Sequence, residues 1–259
     1  MKVLIGLRSL IYQIVTAAFQ SVNIKPKAAE LGVLDGKNAE VIYKTMAPEK
    51  MYLIDSWSKE IFVDYNTNNA HRDWVDNNEK YAFYFGGALS NQATFDNLHK
   101  KTVDRFYGRG DVEIIRAGTR DALPLLKQSL GRDGKLDLIY VDASHQYETV
   151  LDDLMEYERL LSTHGFMQLN DCCHSADGMR QNLGVLEAAV KFCKATDFIP
   201  VLVTNTDWTD VLLVKKDSPM IKVVDQIVMI NDISFVELPY QLFGALQVRY
   251  GKQKNLSFL

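Results

Sequence analysis

The segment from Leu136 to His145 constrains the fold more than any other part of this 259-residue chain. Its first half is a short apolar run with β-branched and aromatic members, which is typical of a strand buried on both faces of a parallel sheet. The run ends at Asp142, and His145 follows three residues later. Ligands of open α/β sheets bind at the carboxyl ends of strands, so we expect Asp142 and His145 to share a pocket there.

Strand-like and helix-like patterns alternate along most of the remaining chain. This alternation predicts an α/β fold with a doubly wound, mostly parallel, Rossmann-like sheet of seven strands and helices on both faces. The last two strand patterns are separated by a short polar turn, which predicts an antiparallel strand at the C-terminal side of the sheet. The predicted strands are 27–33, 50–54, 112–116, the run before Asp142, 165–169, 199–205 and 210–215.

The same patterns predict the domain organisation. Residues 1–26 form an N-terminal helix, and residues 27–216 form the main domain. Within that domain the polar and aromatic stretch 58–108 is a helical insert or a lid. Residues 217–259 are an apolar extension that packs on the domain or on a partner subunit. Because the first helix and this extension both offer apolar surface, we expect a homo-oligomer, most simply a homodimer.

Composition excludes several classes of protein. A formal net charge of -4 without a basic stripe gives no reason to expect nucleic-acid binding. Three cysteines, two of them adjacent, make no disulfide framework and fit a reducing cytoplasmic environment. Arg8 and Gln13 interrupt the apolar N-terminal run, which predicts a docked amphipathic helix and no stable membrane insertion, with a targeting segment as the alternative.

A turn with two glycines follows the first strand of the main domain. Gly32 and Gly36 allow the backbone to approach a ligand, with Glu30 just before them. Asp55 ends the next strand, nineteen residues after Gly36, and Ser56 follows it. A carboxylate at that spacing suits the two hydroxyls of a ribose. The combination predicts a cofactor that contains adenosine. The spacing differs from the Gly-x-Gly-x-x-Gly pattern that cradles a pyrophosphate.

Acidic and amide side chains follow two neighbouring strands. Asp142 ends one of them, and Asn170 and Asp171 follow the next. Two carboxylates at adjacent strand ends either raise each other's pKa or bind a hard cation such as Mg²⁺, which prefers oxygen ligands. A hydroxyl bound to the metal is more acidic, and His145 is close enough to accept its proton.

Between about residues 27 and 215 this layout resembles the class I S-adenosylmethionine-dependent methyltransferases. The resemblance implies that Glu30 and the glycines Gly32 and Gly36 surround the methionine part of S-adenosylmethionine. It further implies that Asp55, with Ser56, holds the ribose and that Asp142 also contacts the cofactor.

The segment 117–124 is similar to the loop after the third strand of catechol-type O-methyltransferases. That similarity implies that Gly118, Thr119 and Arg120 lie against the adenine. The alternative is that Thr119 only caps the helix that begins near Asp121.

The Asp-x-x-His pattern, followed by an acidic pair at the next strand, looks like that of metal-dependent sugar and macrolide O-methyltransferases. The resemblance implies that Asp142, Asn170 and Asp171 ligate Mg²⁺, that His145 is the general base, and that the acceptor is a hydroxyl of a small molecule or sugar. Asn170 departs from the pattern, because those relatives carry an acid there. The amide is a weaker ligand, so a metal-independent methyltransferase, acting on nitrogen or oxygen, is the alternative.

Other interpretations stay open at this point. His145 can instead fix its own loop, and Asp171 can cap a helix. His174 either lines the substrate pocket or joins Cys172 and Cys173 on Zn²⁺, although adjacent cysteines fit one tetrahedral ion poorly.

At the level of the whole protein, the alternatives are an NAD-dependent reductase or epimerase on a similar sheet and a non-catalytic nucleoside-binding or assembly protein.

Overall fold

A computed structural model of the chain describes residues 1–60, 78–132, 134–180, 183–250 and 254–258. Its strands are β1 (Lys2–Leu4), β2 (Lys27–Leu31), β3 (Lys50–Asp55), β4 (Val112–Arg116), β5 (Leu136–Val141), β6 (Leu161–Leu169), β7 (Phe198–Thr204), β8 (Val211–Lys215), β9 (Phe235–Glu237), β10 (Gln247–Tyr250) and β11 (Lys254–Ser257). Its α-helices are α1 (Arg8–Ser21), α2 (Lys37–Met46), α3 (Asn78–Phe85), α4 (Gln92–Arg105), α5 (Thr119–Leu130), α6 (Tyr147–Tyr157), α7 (Ala176–Arg180), α8 (Val185–Ala195) and α9 (Met220–Ile230).

Strands β1 to β9 form one sheet in the order β4-β3-β2-β5-β6-β8-β7-β1-β9. Five neighbouring strands, from β4 to β6, are parallel, and β8 runs antiparallel to both β6 and β7. The expected α/β fold with a mostly parallel sheet and an antiparallel strand near its C-terminal side is therefore confirmed. The seven predicted strands are all present.

Two further strands extend the sheet beyond the prediction. β1 pairs with β7 in parallel, and β9 pairs with β1 in antiparallel orientation. Each has only three residues, which is too short to produce a recognisable alternation of polar and apolar positions. The segments 1–26 and 217–259 thus each add a strand to the sheet as well as a helix.

The sheet separates two apolar cores. In β5, Leu138 and Tyr140 point to one face while Ile139 and Val141 point to the other, as the period of a strand requires. Helix α1 covers the first face with residues that recur at helical spacing, and α6 and α8 cover the second. The buried residues of α1 are Ile11, Tyr12, Ile14, Val15, Thr16, Ala18 and Phe19.

The proposed insert contains helices where the structure describes it. α3 and α4 lie within 78–105, and the part of that prediction between residues 61 and 77 is outside the described residues. The extension after residue 216 comprises α9, β9, a 3₁₀ helix (Tyr240–Ala245) and the hairpin of β10 and β11. Across the described ranges, none of the helices combines the length and the apolar character that a bilayer span requires.

Candidate active site

The turn after β2 has a backbone that favours glycine. Gly32 (φ +84°) and Gly36 (φ +77°) are both left-handed. At Gly32 space is also restricted, because a Cβ there would lie 2.2 Å from the carbonyl oxygen of Asp142. Leu34 lies between them and is left-handed as well (φ +56°), which costs a leucine about 1 to 2 kcal/mol. The turn therefore holds the tip of β2 tightly against the tip of β5.

Asp55 fixes the conformation of this turn. Its Oδ2 accepts hydrogen bonds from the backbone N–H groups of Val33 (2.9 Å) and Leu34 (3.0 Å). Its Oδ1 accepts one from the N–H of Trp57 (2.9 Å). Burial raises the pKa of Asp55, and these three backbone donors oppose that rise. The strand-end carboxylate thus has a structural role that the sequence did not indicate, and its contact with a ribose stays a prediction.

Trp57 and the insert that follows it support the same turn from outside. The indole Nε1 of Trp57 donates to the carbonyl of Leu34 (2.7 Å), and the hydroxyl of Thr102 in α4 lies 3.3 Å from that oxygen. Arg105, at the end of α4, donates to the carbonyl of Asp35 (3.2 Å) and pairs with Glu40 in α2. The described part of the insert and the glycine turn are therefore one packed unit.

Glu30 is a buried acid with one unsatisfied oxygen. It is 1% exposed, and its Oε1 accepts a hydrogen bond from Nδ2 of Asn38 (2.8 Å). The hydroxyl of Tyr12 donates to Oδ1 of Asn38 (2.8 Å), which orients the amide. Within the described parts of the chain, Oε2 of Glu30 and Oγ of Ser56 are buried without a hydrogen-bond partner. Burial raises the pKa of Glu30 well above its usual range.

The loop after β4 leads directly into α5. Gly118 is the N-cap residue and Thr119 is the first helical residue, so Thr119 does not cap the helix as the alternative supposed. The carbonyl of Thr119 accepts a hydrogen bond from the hydroxyl of Tyr157 (2.7 Å). Arg120 is exposed, and a Cβ on Gly118 would meet no described atom within 4 Å. This loop thus has room for a ligand, and its contact with adenine stays a prediction.

Asp153 lies behind that loop, in α6. It is 4% exposed, and its Oδ2 has no hydrogen-bond partner among the described residues. Burial raises its pKa to about 7, and a hydrogen bond with the side chain of Thr119 opposes the rise.

The tips of β5 and β6 bring four predicted residues together. Nε2 of His145 lies 3.4 Å from Oδ1 of Asp142 and 3.3 Å from Oδ2 of Asp171. Asn170 donates a hydrogen bond from Nδ2 to Oδ1 of Asp142 (3.0 Å), and its own Oδ1 is buried without a hydrogen-bond partner among the described residues. Asp171 has a left-handed backbone (φ +54°) and does not precede a helix directly, so it is not a helix cap.

The two carboxylates control the charge of His145. Burial would lower the pKa of this imidazole, but its contacts with Asp142 and Asp171 outweigh burial and raise the pKa to about 10. At 3.4 Å and 3.3 Å these contacts are long for hydrogen bonds. At neutral pH the free protein therefore holds an imidazolium between two carboxylates.

An adjoining polar cluster was missed by the sequence analysis. Nη1 of Arg8 donates to the hydroxyl of Tyr140 (2.9 Å) and lies 3.9 Å from Oδ2 of Asp142. Nε of Arg8 lies 3.4 Å from Oδ1 of Asp210, whose Oδ2 accepts hydrogen bonds from Tyr140 (3.1 Å) and Gln168 (2.8 Å). Asp210 directly precedes the antiparallel strand β8, whose start lies at the edge where the parallel strands end. That position was the signal in the sequence.

His174 lies against the C-terminal extension. The backbone of His174 pairs with Leu246 and Val248, and Nδ1 lies 3.5 Å from Oε1 of Glu187. Cys172 and Cys173 are buried. Over the described ranges, no three His, Cys, Asp or Glu residues form a metal-binding group. The third oxygen donor near Asp142 and Asp171 is the amide of Asn170.

Comparison with known proteins identifies the family. A family model described as a methyltransferase domain matches residues 29–172, more than half of the chain. No curated protein matches. The fold is similar to cofactor-bound Rv0187 from MTB (TM-score 0.50, 12% identity, 82% of each chain covered). It is similar to a Klebsiella pneumoniae protein assigned as an O-methyltransferase (TM-score 0.50, 12% identity, 81% of each chain). The chain therefore belongs to the methyltransferase domain family and is an S-adenosylmethionine-dependent methyltransferase with the class I fold.

Proposed function

We propose that this protein transfers a methyl group from S-adenosylmethionine to a hydroxyl oxygen of a small molecule or sugar. The observation that carries the proposal is the convergence of Asp142, His145 and Asp171 beside the glycine turn. S-adenosylmethionine supplies, when bound, an electrophilic methyl group on its sulfonium. The task of the protein is to hold donor and acceptor in line, and such alignment provides a large part of the acceleration.

The residues around the glycine turn fit that donor. The buried, unpaired Oε2 of Glu30 suits a cationic group such as an α-ammonium, because an ion pair there would satisfy both partners. Gly32 and Gly36 supply the two left-handed glycine positions of this turn. The other residues that would hold the nucleoside in this proposal are Asp55, Ser56, Gly118, Thr119 and Arg120.

His145 is the proposed proton acceptor, and its charge state sets a condition. An imidazolium with a pKa of about 10 cannot accept a proton at neutral pH. It becomes a base only when another cation offsets the charge of Asp142 and Asp171, because that charge is what raises its pKa. The proposal therefore requires a second positive charge at these carboxylates during turnover.

Mg²⁺ is one source of that charge. Carboxylate oxygens of Asp142 and Asp171, together with the unpaired Oδ1 of Asn170, are the hard donors that Mg²⁺ prefers. These residues would hold the ion, and the ion would supply positive charge at the acceptor oxygen. The amide in place of a third acid makes this a weak site.

The alternative is methyl transfer without a metal, and one observation favours it. The guanidinium of Arg8 already lies 3.9 Å from Asp142 and 3.4 Å from Asp210. A fixed cation of this kind offsets part of the carboxylate charge. In that case His145 and Arg8 orient the acceptor, and the protein acts on oxygen or nitrogen nucleophiles that lose their proton easily.

Methyl-transfer assays with a panel of hydroxylated acceptors test the proposal, with product methylation followed by mass spectrometry. We expect His145→Ala to bind S-adenosylhomocysteine as tightly as the parent protein and to lose turnover by about 100-fold or more. His164→Ala, which replaces a histidine of β6 away from the cluster, is the matched control and should retain activity. Full turnover of His145→Ala would remove the base assignment. Full turnover in EDTA would favour the metal-free alternative.

A further inference from the structure

Arg8 joins the N-terminal helix to the candidate active site. It is the first residue of α1, and it reaches the tips of β5 and β8 through Tyr140, Asp142 and Asp210. It lies outside the segment 29–172 that defines the methyltransferase family. The family match therefore assigns it no role.

The guanidinium of Arg8 has a hydrogen-bond donor that is available to a ligand. Its side chain is 34% exposed, so one side of it is accessible. Nη1 donates to Tyr140, and Nε faces Asp210. Among the hydrogen bonds of the described residues, none uses Nη2. The unused nitrogen of this guanidinium can donate to a carboxylate in a charge-assisted hydrogen bond.

Glu30 presents a carboxyl group on the same face of the sheet, and it becomes an anion when it gives up its proton to a bound cation. Glu30 and Tyr140 are paired across β2 and β5, so their side chains point to the same side and their Cα atoms are about 5 Å apart. The hydroxyl of Tyr140 is the partner of Arg8, and the ring of Tyr140 packs edge-on against Tyr12 (centroids 5.9 Å apart). Tyr12 orients Glu30 through Asn38. A single contact network thus positions the unused Nη2 of Arg8 and the unpaired Oε2 of Glu30.

We propose that Arg8 and Glu30 form a two-point site for the α-amino acid end of S-adenosylmethionine. Arg8 binds the α-carboxylate, and Oε2 of Glu30 accepts a hydrogen bond from the α-ammonium. Both groups of a zwitterion are then met by groups of opposite charge. The inference rests on the proposed function, since it names the residue that selects the complete amino acid portion of the donor.

The test compares ligands that differ in this portion, by isothermal titration calorimetry. S-adenosylhomocysteine carries the amino acid portion, and 5′-methylthioadenosine lacks it. We expect Arg8→Gln to weaken S-adenosylhomocysteine binding by about 10- to 100-fold, the range for a charge-assisted pair, and to leave 5′-methylthioadenosine binding unchanged. Arg159→Gln, an arginine exposed beside Glu156, is the matched control and should change neither affinity.

The outcomes separate this inference from the function on which it rests. If the parent protein binds neither nucleoside, the proposed function fails. If it binds both and Arg8→Gln weakens them equally or not at all, only the role of Arg8 fails.

A ligand comparison on the unaltered protein covers the case in which Arg8→Gln does not fold. S-adenosylmethionine should bind at least about 10-fold more tightly than its decarboxylated analogue, because only the former offers a carboxylate. Equal affinity for the two would overturn the inference.

Discussion

Replacing Asp153 with asparagine should stabilise the protein near pH 8 and have little effect near pH 4. The carboxyl group is 4% exposed and its Oδ2 has no partner among the described residues. Burial raises its pKa from 3.8 to about 7. A buried acid with a raised pKa does not lower the free energy of unfolding below about pH 3.8. Its destabilising effect grows as the pH rises toward 7, since unfolding then releases a proton.

The size of the effect follows from the two pKa values. The difference between 3.8 and about 7 corresponds to a linkage free energy of roughly 4 kcal/mol when the group is fully ionised. Asparagine keeps the shape and a hydrogen bond to Thr119 but never carries the charge. We therefore expect a gain of about 2 to 4 kcal/mol at pH 8, or roughly 4 to 16 °C in Tm for a chain of this length.

Thermal unfolding followed by circular dichroism at pH 4 and pH 8 measures this gain. Asp152→Asn is the matched control, because Asp152 is the exposed neighbour in the same helix and should change Tm little at either pH. A lower Tm for Asp153→Asn at pH 8, or an equal shift at both pH values, would refute the reasoning.

Three further predictions concern the site. Gly32→Ala should lower the free energy of unfolding by about 3 kcal/mol or more, because its Cβ would lie 2.2 Å from a backbone oxygen, whereas Gly110→Ala, with no described atom within 4 Å, should change it little in denaturant titrations. In metal-free buffer, the ion pairing of His145 contributes fully to the free energy of unfolding below about pH 6.5, and this contribution disappears as the pH rises toward 10. The parent protein should therefore lose more stability over that range than His145→Asn. Equal losses would contradict the ion pairing. Affinity for S-adenosylhomocysteine should rise with pH, because Glu30 must give up a proton to bind an ammonium. Calorimetry should show that Glu30→Gln removes this pH dependence. The same pH dependence in Glu30→Gln and the parent protein would contradict the role of Glu30.

The sequence was sufficient for the fold wherever an element is long enough to display its period. The strand before Asp142 was recognisable for this reason. The pairings of β1 and β9 were not, since three residues carry no period and their partners are distant in the chain. Sheet edges of this kind depend on tertiary contacts alone.

The site was predictable to the extent that strand ends determine it. The rule that parallel strands end at one edge brought Asp142, His145 and Asp171 together correctly. It could not predict Arg8, because its position depends on how α1 packs across the sheet. Nor could it predict that Asp55 binds the turn, because the left-handed conformation of Leu34 leaves no pattern in the sequence.

The hydrogen bonds between α4 and the glycine turn have a practical consequence for engineering. Thr102 and Arg105 lie in a segment that a designer would exchange in order to alter acceptor choice, yet they hold the carbonyls of Leu34 and Asp35. Transplanting a foreign segment would remove these two hydrogen-bond donors from the turn that we propose binds the methyl donor. A chimera that retains both side chains should keep nucleoside affinity, while one that discards them would lose it before any new acceptor could be assayed.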